Sequence, residues 1–144
     1  IVKSKTKDNP VFYVQYAYAR CMSLFKIFNK TFDIDFLNLE IHKKNLSNLN
    51  LLEEKIIIKK LCNFFNIVTA SANNYEPHRM TNYLYDLAKD FHAYWGLGKI
   101  KKSNKIILED NYQISEERMT LILAISLIIK KGMNLIKINC PESM

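Results

Sequence analysis

YEPHRMTNYLYDLAKDFHAYW, residues 75–95, is the segment around which the rest of the chain is organised. Met80, Leu84, Leu87, Phe91 and Tyr94 recur at alternating spacings of four and three, so they form one stripe along an α-helix. His78, Asn82, Tyr85, Lys89 and His92 keep the same rhythm on a polar side. Pro77 suits the first helical position, where its missing N–H costs nothing. Tyr75 and Met80 then stand at the two positions of a hydrophobic staple. Gly96 and Gly98 read as the stop. A helix with one apolar stripe buries it, so the segments on either side are expected to pack against this one.

Upstream, Asn9 and Pro10 read as the cap and first residue of a helix running to about Lys30. Val11, Val14, Tyr18, Cys21, Phe25 and Phe28 make one apolar stripe on it. Tyr13, Tyr16, Arg20, Leu24 and Ile27 make a second, adjacent one, and Gln15, Ala19, Met22, Lys26 and Asn29 are left for solvent. Residues 31–48 read as a loop whose apolar side chains, Phe32 to Ile41, tack onto the helices. Asn50 is the expected cap of a helix from Leu51 to about Phe65, with Glu53, Glu54, Lys59 and Lys60 on its wet side. Asn66 is the expected break before a further piece, Ile67 to Asn74.

Downstream, Lys99, Lys101, Lys102 and Lys105 form a basic loop. Ser115 is read as the cap of the last long helix, with Glu116 and Glu117 at its positive end. Met119, Ile122, Ile125 and Ile129 lie on its apolar stripe, while Leu123 and Leu127 fall on the opposite side. Lys130, Lys131 and Gly132 are expected to end it, before a short turn from Met133 to Ile136. The fold class is all-α, a helical bundle of about five helices over residues 9–144, with residues 1–8 as a basic lead-in.

Composition agrees. The chain has 144 residues, 49% hydrophobic and 24% charged, which suits a globular domain with its own core. Only three glycines and three prolines interrupt it, which favours long helices. A net charge of +7 points to an anionic partner such as nucleic acid, although an AT-rich coding bias toward lysine also produces such a balance. Three widely spaced cysteines form neither a disulfide framework nor a zinc site, and fit a reducing, cytoplasmic setting. The longest apolar run, Met119 to Ile129, is too short to span a bilayer.

No catalytic constellation is visible. There is no nucleophile elbow and no glycine-rich phosphate loop. His42, His78 and His92 lack metal-ligand spacing and read as solvated or capping residues. Asp86 and Asp90 read as part of an ionic patch near Arg79 and Tyr83. Tyr13, Tyr16 and Arg20 differ, because spacings of three and four put them on one side of a helix. Two phenol rings and a guanidinium suit unstacked RNA bases, the rings for stacking and the arginine for base edges or phosphates. The same spacing also fits a core stripe with a buried arginine.

NPVFYVQYAYAR at residues 9–20, EPHRMTNYLYDLAKDFHAYW at 76–95 and RMTLILAISLIIKKGMNLIKINCPESM at 118–144 together resemble the C-terminal, DALR-type anticodon-binding domain of arginyl-tRNA synthetase. The resemblance runs from about Asn9 to Met144, with loops 31–48 and 97–114 unmatched in detail. It implies an all-helical domain that binds the anticodon loop of tRNA(Arg). It further implies that Tyr13, Tyr16 and Arg20 face that loop, that Trp95 supplies a stacking ring where the family usually has Tyr, and that Met144 lies against the anticodon. Lys99, Lys101, Lys102 and Lys105 are expected phosphate contacts. Tyr18 stands where a His is usual. The resemblance also implies an upstream catalytic domain that attaches arginine to tRNA with ATP and Mg, so this chain, taken as a monomer, carries no cofactor or catalytic site of its own. Two other readings share these features: the anticodon domain of another synthetase, and a helical protein-interaction module using Leu123 and Leu127.

Overall fold

A computed structural model describes residues 9–39 and 45–144. The lead-in at 1–8, and Ile41 and His42 of the loop, lie outside the described residues. Five α-helices follow in order: α1 Pro10–Phe32, α2 Leu52–Cys62, α3 Phe64–Asn73, α4 His78–Ile100 and α5 Tyr112–Leu135. Single 3-10 turns occur at Phe36–Asn38 and Lys102–Asn104.

α4 is the hub. It packs against α1, α2, α3, α5 and the 102–104 turn. Met80, Leu84, Leu87, Phe91 and Tyr94 are all buried, as their spacing requires. Val14, Tyr18, Cys21, Phe25 and Phe28 of α1 meet them with Met119, Ile122, Ile125 and Ile129 of α5. The cap of α1 is the expected one: Asn9 Oδ1 accepts from the N–H of Val11 at 3.0 Å. Ala19, read as solvent-facing, is buried. The 31–48 loop tacks down through Phe36, which is fully buried and edge-on to Phe28 at 5.2 Å.

The glycines do not stop helices. α4 continues through Gly96 and Gly98 to Ile100, and α5 continues through Gly132 to Leu135. Their backbones have ordinary φ, so a glycine there acts through the missing side chain rather than through a turn. A Cβ at Gly132 would meet Leu84 Cδ2 at 2.7 Å, and one at Gly98 would meet Lys105 Cγ at 2.9 Å. Both mark close approaches. Tyr75 does not staple α4: it sits at φ 55° and is 92% exposed.

Other helix ends also differ from expectation. Leu51, not Asn50, precedes α2, and Glu54 reaches back to accept from the Leu51 N–H at 2.9 Å. Asn50 donates to the Ser47 carbonyl instead. The break after α2 falls at Asn63 rather than Asn66. Asn111, not Ser115, caps α5, and Ser115 is buried against the Leu108 backbone. Glu117 accepts from the backbone and side chain of Asn48, at 2.9 and 2.7 Å, and so ties the loop before α2 to α5.

Glu54, placed on the wet side by its spacing, is fully buried. Arg118 Nε donates to its Oε1 at 3.2 Å and the Tyr94 hydroxyl donates to the same oxygen at 2.8 Å. Burial and the Glu54 charge drive the Tyr94 phenol far above its usual pKa. Asp90 pairs with Lys60 of α2, and Arg79 with Glu76, so the acidic pair on α4 does not gather around Arg79. Leu123 is half-buried against the core, while Leu127 is 57% exposed.

Candidate nucleic-acid interface

α1 and α4 cross so that the second stripe of α1 meets the C-terminal half of α4. Tyr16 and Arg20 are one helical turn apart, and Arg20 Nη2 donates to the Tyr16 hydroxyl. The Arg20 guanidinium carbon lies 4.6 Å from the Tyr16 ring centre and 3.9 Å from that of Trp95. Lys99, one turn beyond Trp95, places its Nζ 4.5 Å from the same indole. Each of these is a cation–π distance. Two cations converge on one tryptophan at a half-buried surface, which leaves a local excess of positive charge.

His92 joins this group, contrary to its reading as a solvated residue. Its Nδ1 lies 3.3 Å from Arg20 Nη1. Arginine has only donors, so Nδ1 accepts. The imidazole stacks on Tyr16 at 5.6 Å and 26°, and meets Tyr13 at 4.8 Å. Tyr13 in turn packs on Tyr85 at 5.1 Å. Burial raises the Tyr13 pKa first, Tyr85 adds to the rise, and Arg20 opposes it. The signal for His92 was present in its place, three residues before Trp95 on the stripe that also carries Tyr85, but nothing local says that α1 lies across that stripe.

Tyr16, Arg20 and Trp95 line a cleft of about 310 Å³, and Ser143 and Met144 line it as well. The structure therefore gathers Tyr13, Tyr16, Arg20, Trp95 and Met144 at one end of the α1–α4 groove. Tyr18 points the other way, into the core, where burial raises its pKa. Lys99 and Lys105 line a second cleft beside Trp95, whereas Lys101 and Lys102 are exposed and line neither.

The surface offers stacking faces, a planar fork of five donors of which two are engaged, and cations at the rim. That combination suits single-stranded nucleic acid. An ATP–Mg site does not fit these residues. All three glycines lie inside helices rather than in a phosphate-cradling loop, and no group of three or more His, Cys, Asp or Glu gathers among the described residues. No described helix is long and apolar enough to cross a membrane.

Comparison with known proteins agrees with the geometry. An arginine–tRNA ligase from Allorhizobium ampelinum is 39% identical over 144 residues, covering 99% of this chain and 24% of that protein. One from Pelagibacter ubique is 36% identical over 143 residues, again 99% and 24%. The chain thus spans about a quarter of the length of the curated relatives it matches. A Campylobacter jejuni crystal structure, provisionally described as an arginyl-tRNA synthetase, superimposes with a TM-score of 0.70 at 21% identity over 99% of this chain and 28% of that one, and so shares the fold. Residues 14–144 match the family described as the DALR anticodon binding domain, and the chain belongs to that family.

Proposed function

We propose that this chain reads the anticodon loop of tRNA(Arg) as the anticodon-binding domain of an arginine–tRNA ligase. One observation carries the reading: the Arg20 guanidinium lies against both the Tyr16 and Trp95 rings in a cleft that Met144 also lines. Bases of a loop can be splayed out, stacked on Tyr16 and Trp95, and met at their edges or phosphates by Arg20. Tyr13 and His92 hold that arrangement from beneath. Lys99, Lys101, Lys102 and Lys105 supply cations for the flanking phosphates.

The named relatives favour arginine over another amino acid for the ligase. On this proposal the partners are tRNA(Arg) and the catalytic domain of the ligase. ATP with Mg is a requirement of that catalytic domain, where it would drive aminoacylation, and the domain described here acts as a monomer on RNA in the cytoplasm.

The test is a titration of the 144-residue chain with synthetic anticodon stem-loops. An arginine-type stem-loop is expected to bind more tightly than stem-loops of other tRNAs that share its stem. Equal affinity for all loops would overturn anticodon reading, and no binding at low salt would overturn the RNA interface itself.

A further inference from the structure

A second cleft, of about 620 Å³, also has Trp95 in its wall. It shares Leu24, Ile27 and Trp95 with the first, so the two clefts adjoin. Its remaining wall comes from the segment after α4, through Ile106, Ile107 and Glu109, with Lys99 and Lys105 at its rim.

This wall is built rather than loosely draped. Arg118 Nη1 donates to the carbonyls of Ser103, at 3.0 Å, and Lys105, at 2.5 Å, while Glu54 holds its Nε from below. Ile106 is buried, and Gly98 lets the Lys105 backbone close against α4. A buried ion pair thus anchors the strip of chain that faces Trp95 across the cleft.

We infer that this second cleft seats another unstacked nucleotide of the same RNA loop, with its base between Trp95 and Ile107 and its phosphate toward Lys99 and Lys105. The inference rests on the RNA reading proposed above. Three features select this occupant. The walls are apolar and aromatic, which suits a base face. The cationic rim suits a phosphate. The cleft adjoins the first, so adjacent nucleotides of one loop can fill both. Glu109 refines the ligand: a carboxylate only accepts hydrogen bonds and is repelled by carbonyl oxygens, so it favours an exocyclic amine over uracil, whose one base donor, N3–H, is flanked by two carbonyls.

The test uses the 144-residue chain, a synthetic arginine-type anticodon stem-loop, and a set of the same RNA with single abasic loop positions. Ile107→Ala and Glu109→Gln alter only the second cleft, and Tyr16→Leu alters only the first. Ile107→Ala is expected to weaken the intact loop on the order of tenfold and to be silent toward one abasic RNA. That position is expected to differ from the one that silences Tyr16→Leu. Glu109→Gln, at an exposed site that does not threaten folding, is expected to narrow the preference for an amine-bearing base over uracil at the same position. If Ile107→Ala and Glu109→Gln bind every RNA like wild type while Tyr16→Leu loses affinity, the second seat is overturned and the anticodon reading stands. If wild type binds no stem-loop, both are overturned.

Discussion

Arg118 of α5 and Glu54 of α2 meet at 3.2 Å, both withdrawn from solvent, and Tyr94 of α4 donates to the same carboxylate oxygen. Three helices are therefore joined at one buried acid. Removing one partner leaves the other as a buried charge without its counter-charge, whereas removing both leaves no buried charge. Arg118→Met is expected to cost ~3–5 kcal/mol of stability by urea unfolding. Glu54→Leu combined with Arg118→Met is expected to cost less than the sum of the two single variants, because no unpaired charge is left buried. A double variant as unstable as the sum of the singles would show that the pair is not coupled.

The glycines of α4 and α5 are expected to respond in opposite directions. Gly96 has nothing within 4 Å of a built Cβ, so Gly96→Ala is expected to stabilise by ~0.5–1 kcal/mol through helix propensity. Gly132 faces Leu84, whose side chain is buried and has no room to swing away, so Gly132→Val is expected to destabilise by ~1–3 kcal/mol. Thermal melts of the two variants check the signs.

Tyr16, Trp95 and Arg20 are half-buried, not core, which separates binding from folding. Tyr16→Leu and Trp95→Leu keep apolar volume and remove the π face. Each is expected to melt near wild type and to lose ~1–3 kcal/mol of stem-loop affinity. Arg20→Lys is expected to behave likewise, because an ammonium replaces neither the planar stack nor the fork. Large losses in melting temperature with undiminished affinity would return these residues to a purely structural role.

Salt dependence reports the lysines. Each phosphate neutralised contributes roughly 0.7–0.9 to the slope of log K against log salt. Replacing Lys99, Lys101, Lys102 and Lys105 with Gln is expected to flatten the slope without changing which stem-loop is preferred. Lys99 and Lys105 line the groove and are expected to account for more of the change than Lys101 and Lys102. An unchanged slope would remove the segment from the interface.

The three thiols are expected to react in a fixed order. Cys62 is exposed; Cys140 is half-buried with its pKa raised by burial; Cys21 is fully buried and raised much further by the same cause. The thiolate is the reactive form, so raising the pKa slows reaction at neutral pH. Titration with a thiol reagent at neutral pH is expected to give one fast residue. A second should follow faster as pH rises, and a third only on unfolding. Fast labelling of Cys21 in the folded chain would contradict its place in the core.

The helices and their buried stripes were legible without coordinates. Met80 to Tyr94 on α4 and Val14 to Phe28 on α1 declare a periodicity of about 3.6 residues, and periodicity is a local property of the chain. The grouping of Tyr13, Tyr16 and Arg20 on one side of α1 was legible for the same reason. What lies opposite a helix face is not local. Glu54 reads as a wet charge until α2 and α5 enclose it with Arg118, and Gly132 reads as a stop until Leu84 presses against it. His92 reads as a polar-face residue until α1 crosses α4 and brings two tyrosines and an arginine to it. Local spacing was enough to say which residues share a face. Which faces meet was settled by the packing of the helices, because a buried charge, a close backbone approach and a stacked ring each need a partner far away along the chain.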